Sequence, residues 1–130
     1  MREFCSAVDH TLLKPEATRQ QIEDLCGEAL RLQTRTVCVN GMWVAAAAEQ
    51  LSGSPVGVCA VAGFPLGAMS VAALLGETAG AVEDGAVEID MVIPLGHVKA
   101  GHWSQAQRYV SAVREALPPA PLPQATARRR

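Results

Sequence analysis

The chain has 130 residues, 49% of them hydrophobic and 18% charged, a balance that suits one soluble globular domain. The net charge of −2 argues against a nucleic-acid surface. Setting the three terminal arginines (Arg128–Arg130) aside leaves 8 of the 11 basic residues against 13 acidic ones, a more acidic body still. No apolar run approaches the roughly 18 residues of a membrane span, and no signal peptide opens the chain.

"AVDHTLL" (7–13) reads as a short first strand. The clearest helix follows at 18–32. Thr18 and Gln21 fit a capping box, and Ile22, Leu25, Cys26 and Ala29 recur at helical spacing. "TRTVCVN" (34–40) is a β-branched run that ends at the Asn40-Gly41 turn signal. A second helix is expected at 42–51, with Val44, Ala47, Ala48 and Leu51 on one face. "PVGVCAVAGFPLG" (55–67) reads as a buried strand stopped by Gly63 and Pro65. Ser70 can cap a third helix lined by Val71, Leu74, Leu75 and Thr78 and weakened by Gly76 and Gly80. A strand at 86–93 ends at Pro94 and Gly96. A fourth helix at 104–117 carries Ala106, Val110, Val113 and Leu117 in register.

This β-α-β-α-β-α-β-α rhythm predicts parallel strands joined by right-handed crossovers. Their near-continuous apolar character fits strands covered on both faces. The pattern breaks at Pro118. "PPAPLPQATARRR" cannot continue a helix or form a central strand, so 118–130 is expected to be a disordered tail.

"EIDMVI" (88–93) sets two carboxylates in an apolar run. Strand alternation puts Glu88 and Asp90 on one face and Ile89, Met91 and Ile93 on the other. In a barrel the first set would point inward. A buried ionised carboxylate needs compensation. These acids therefore either pair with a cation or backbone donors, or hold and relay protons beside a lysine. Asp9 and Thr11 share one face of the first strand. They either form a turn and cap region or reach the same interior as Asp90, whereas His10 falls on the opposite face, toward a helix.

"GFPLG" (63–67) is a strand-end loop that lacks the lysine and spacing of a P-loop. The two lysines, Lys14 and Lys99, lie in loop-like segments where nothing desolvates an amine into a nucleophile. The four cysteines (Cys5, Cys26, Cys38, Cys59) form no C-x-x-C pair and read as buried thiols of a reducing cytosol. His10, His97, His102 and the acids show no metal-ligand spacing.

"DHTLLKPEAT" (9–18), "VCVN" (37–40), "GFPLG" (63–67) and "EIDMVI" (88–93) occur in the order and spacing of bacterial deoxyribose-phosphate aldolases, and residues 5–117 resemble the N-terminal half of that family. The resemblance implies an α/β fold of the (β/α)8-barrel class, here about its first four β/α units. It implies a cytoplasmic lyase without metal or cofactor that cleaves 2-deoxy-D-ribose 5-phosphate to glyceraldehyde 3-phosphate and acetaldehyde. In that family a strand-six lysine forms a Schiff base, a strand-seven lysine lowers its pKa, and a strand-four aspartate shuttles protons.

The aspartate carries over to Asp90. Asp9 and Thr11 match first-strand residues facing the substrate pocket, and Cys38 matches a pocket-adjacent cysteine. A barrel of this class needs about 250 residues, and neither Lys14 nor Lys99 matches a catalytic lysine. The expectation is a truncated or frame-shifted product, inactive alone. The implied partner is a small phosphosugar, with neither nucleic acid nor membrane. A half barrel also exposes two sheet edges, which predicts self-association or pairing with another half.

Overall fold

A parallel strand pair requires a crossover that returns the chain to the starting end of the sheet. Here each crossover contains a helix. The computed structural model describes residues 2–119. After a single turn, α1 (Arg2–Cys5), come β1 (Asp9–Leu12), α2 (Arg19–Leu32), β2 (Thr36–Val39), a 3-10 turn (Gly41–Trp43) and α3 (Val44–Leu51). Then follow β3 (Gly57–Ala62), α4 (Val71–Glu83), β4 (Glu88–Met91), α5 (Leu95–Lys99) and α6 (Trp103–Ala116). The four strands form one parallel sheet in the order β1-β2-β3-β4, so each strand pairs with its neighbour in sequence. This is the architecture of four consecutive β/α units, half of an eightfold barrel. It leaves one edge of β1 and one of β4 without a partner strand among the described residues.

The capping box predicted for α2 is present. The Thr18 hydroxyl accepts the Gln21 amide at 3.3 Å, and the Gln21 side chain accepts the Thr18 amide at 2.9 Å. The buried residues of α2 are Ile22, Leu25, Cys26 and Ala29, the four expected from spacing. They pack with Val37 and Val39 of β2, Val58 and Ala60 of β3, and Val44, Ala47 and Leu51 of α3. A second cluster joins Ala62, Leu74 and Val113, with Ile89, Met91 and Tyr109 against it. Ile89 and Met91 thus face the helices, as alternation requires.

Boundaries moved where the backbone turns. The run 55–67 is a strand only over Gly57–Ala62, because Gly63 adopts φ 65 and leaves the extended region. The run 86–93 is a strand over Glu88–Met91, although ladder-like bonds continue it: the Val87 amide donates to the Val58 carbonyl and the Val92 amide to that of Ala62, each at 2.9 Å. The helix expected from residue 42 begins with the 3-10 turn and becomes α-helical at Val44. Helices α1 and α5 were not anticipated. Apart from Pro118 and Pro119, the segment expected to form a tail lies outside the described residues. No helix among the described residues is long and apolar enough to cross a membrane.

Candidate active site on the inward face of the half barrel

The register sets the inward side chains in rows. Asp9, Thr36 and Gly57 occupy the first row, and Thr11, Cys38, Cys59 and Glu88 the second. Val61 and Asp90 stand in the third, nearest the C-terminal ends of the strands. All four residues singled out from the sequence (Asp9, Thr11, Cys38 and Asp90) therefore share this face. Thr11 and Cys38 are direct partners in the register, with Asp9 one inward row before them and Asp90 one row after.

Each polar group has a distinct setting. The Thr36 hydroxyl donates to Asp9 Oδ1 at 2.7 Å, which fixes the carboxylate against β2. The Thr11 hydroxyl turns back to the Asp9 carbonyl at 2.8 Å. Glu88 accepts from Arg35 Nε at 3.1 Å and from Arg35 Nη2 at 3.0 Å, a bidentate pair. That pair links the entry of β2 to β4 past the intervening strand, whose first residue is Gly57. A Cβ on Gly57 would approach Val87 Cγ2 to 2.6 Å.

The two acids of "EIDMVI" thus resolve differently. Glu88 has a structural cation. Asp90 is solvent-exposed and makes no hydrogen bond or ion pair with the described residues. His10 points the other way, as expected, with Nε2 3.0 Å from Glu28 Oε2 of α2. Lys14 and Lys99 are both exposed, in the loop after β1 and at the end of α5.

Cys38 and Cys59 are directly paired in the β2–β3 register and buried, with 3% and 5% of their surface exposed. A hydrogen bond from the Cys59 thiol holds Cys38 below the ordinary thiol value, against burial and the Asp90 and Asp9 carboxylates. The same bond, and then burial, pushes Cys59 up.

The "GFPLG" loop closes the C-terminal end of the sheet. The Gly63 amide donates to the Glu77 carboxylate of α4 at 2.8 Å. The Gly67 amide donates to the Gly63 carbonyl at 2.8 Å, and the Leu95 amide to the Gly67 carbonyl at 3.1 Å, so the loops after β3 and β4 are joined. A cavity of about 710 Å³ lies at the other end, where the strands start, bounded by Arg35, Gly57, Val87, Glu88, Arg114 and Leu117. It is a groove beside β4, away from Asp90 and the joined loops. Sequence reasoning missed Thr36, Arg35, Cys59 and Glu77. Alternation in "TVCV" places Thr36 with Cys38, but only the register shows what each touches. Among the described residues no three or more His, Cys, Asp or Glu side chains gather as a metal ion would need.

No family model matches the chain. Individual relatives do. A deoxyribose-phosphate aldolase of Streptococcus gordonii is 53% identical over 109 residues, 84% of this chain and 50% of that protein. The enzyme of that name from Brevibacillus brevis is 46% identical over 109 residues, 84% of this chain and 49% of its own length. Among solved structures, a candidate deoxyribose-phosphate aldolase from Coccidioides immitis superposes with a TM-score of 0.86 at 35% identity, covering 88% of this chain and 46% of that one. An aldolase named QR15 gives 0.85 at 30% identity, covering 92% and 53%. The chain spans about half the length of these relatives. Over that span, in both sequence and fold, it is a homologue of the deoxyribose-phosphate aldolases.

Proposed function

We propose that this chain forms the first half of a deoxyribose-phosphate aldolase barrel, providing one wall of the site that cleaves 2-deoxy-D-ribose 5-phosphate. The observation that carries this reading is the placement of Asp90. It stands on the inward face, in the row nearest the strand C-termini, where barrels of this class do chemistry. Its carboxylate is free of structural partners, while its neighbour Glu88 is tied to Arg35.

In this role Asp90 takes a proton from the substrate hydroxyl and returns one to the carbon released as acetaldehyde. Asp9, Thr11 and Cys38 line the wall below it. The electrophile is a lysine Schiff base, and this chain places neither of its two lysines on the inward rows. The chain alone is therefore inactive, and the second half must bring the amine. The reaction belongs to deoxyribonucleotide breakdown in the cytoplasm.

Two measurements test this. With the chain alone, substrate and borohydride should leave no covalent adduct by mass; a stoichiometric adduct refutes the missing-amine argument. Residues 1–117 fused to the second half of the Streptococcus gordonii enzyme should cleave the substrate, and Asp90→Asn in that fusion should slow turnover about 100-fold or more. A folded but inactive fusion, or an unaffected Asp90→Asn variant, overturns the assignment.

The unpartnered edges of β1 and β4 favour a second reading, in which the chain acts as an assembly module that pairs with itself or with another half barrel. Light scattering distinguishes the two: a module is oligomeric at working concentration, and a stable folded monomer speaks against it.

A further inference from the structure

We infer that Cys38 and Cys59 form an oxidisable dithiol, a reversible modification site on the inward face that closes to a disulfide with peroxide. The argument rests on register and does not depend on the aldolase reading. The two residues are Cα partners on adjacent parallel strands, with side chains on the same face. Neighbouring strands lie about 4.8 Å apart, inside the Cα separation of about 4.4–6.8 Å that a disulfide spans. Both thiols are buried on that face. Together with Val61 and the partly buried Leu13 they form a small cluster separate from the helix-packed core. Both cysteines are reduced in the structure.

The chemistry balances with hydrogen peroxide as the oxidant. The Cys38 thiolate attacks one peroxide oxygen, the O–O bond breaks, and hydroxide leaves; Cys38 becomes a sulfenic acid. The Cys59 sulfur then attacks the Cys38 sulfur and displaces the hydroxyl, which leaves as water with the Cys59 proton. Two thiols and one peroxide give one disulfide and two waters. Cys38 is the attacking sulfur because its neighbours in the register are the uncharged Thr11 and Cys59, whereas Cys59 has the Glu88 carboxylate beside it, which disfavours a thiolate there.

The remaining cysteines serve as internal controls. Cys26 is buried in the helix-packed core, and its thiol is pushed up by burial and then by Glu23. Cys5 is partly exposed at the end of α1. The test treats the full chain with a slight excess of hydrogen peroxide, alkylates it under denaturing conditions and maps its peptides by mass spectrometry.

The expected result is loss of two of the four alkylatable thiols, a 2 Da mass decrease, and a linked peptide pair containing Cys38 and Cys59 that dithiothreitol reverses. Cys59→Ser should instead trap a sulfenic acid at Cys38, detectable with dimedone. Four intact thiols after treatment, a linkage through Cys5 or between two chains, or dimedone labelling confined to other cysteines overturns the proposal. Circular dichroism of Cys59→Ser shows whether the variant is folded. If it is not, the wild-type peptide map decides alone.

Discussion

At Gly67 the backbone adopts φ 56, and a Cβ there would run into the Ile93 carbonyl oxygen. Gly53 has φ 76 but nothing within 4 Å of its Cβ position. The two separate conformational strain from collision. Gly53→Ala should cost about 1 kcal/mol, the left-handed penalty alone. Gly67→Ala should cost about 2 kcal/mol or more, since the loops after β3 and β4 must also part. Denaturant titration of both variants checks the difference, and equal costs would show that the loop junction yields freely. Glu28 offers a pH test. The hydrogen bond from His10, and then the charge of His10, hold its carboxylate below its ordinary value of 4.5. A depressed carboxylate contributes stability above its unfolded pKa, and that stability is lost as pH falls through the folded one. Glu28→Gln should therefore flatten the acid limb of stability below about pH 4.5. The Glu28 side chain is about half exposed, at 49%, so solvent screens the pair, the change is small, and thermal melts across that range reveal it.

The elements differ in how far local sequence determines them. In α4, Gly76 and Gly80 are exposed, adopt helical backbone and have open space around the Cβ position. Each Gly→Ala replacement should stabilise by about 1 kcal/mol, read as a rise in melting temperature; a fall would mean that the helix needs its glycines. Thr18→Ala should cost about 1 kcal/mol, because it opens the α2 capping box. Both α2 and α4 were legible because their caps and apolar stripes are local signals. Helix α5 was not, since five residues between Pro94 and Gly101 carry too little periodicity to distinguish from a loop. At the site, alternation put Glu88 and Asp90 on one face, but it left open which acid was paired. Arg35 and Glu88 are 53 residues apart, and their meeting depends on sheet register, which no local pattern encodes. The same holds for Cys38 and Cys59: each reads as a small buried apolar residue until the strands are aligned.

For the molecule as a whole, the described residues leave two sheet edges unpaired, that of β1 and that of β4. Val87 at the entry of β4 is 70% exposed and borders the groove where the strands start. If the β4 edge mediates self-association, Val87→Lys should shift the chain toward monomer in light scattering, with unchanged circular dichroism. An unchanged mass would place the contact elsewhere. The inward face also has a charge balance of its own. Asp9, Glu88 and Asp90 contribute three acids against the one guanidinium of Arg35, so a lysine-bearing half suits this wall better than a second copy does.

The strictly sequential strand order has a consequence for how the protein is made. Each strand pairs only with the one completed just before it, so no strand waits for a distant partner: Asp9 and Thr36, in contact across β1 and β2, are 27 residues apart. Parallel pairing always demands a crossover, so this order keeps the separation as short as such a sheet permits. On the ribosome, each β/α unit can dock as it emerges, and four units can be assembled while later sequence is still being translated. The wall bearing Asp90 would then be the template on which any following strand nucleates.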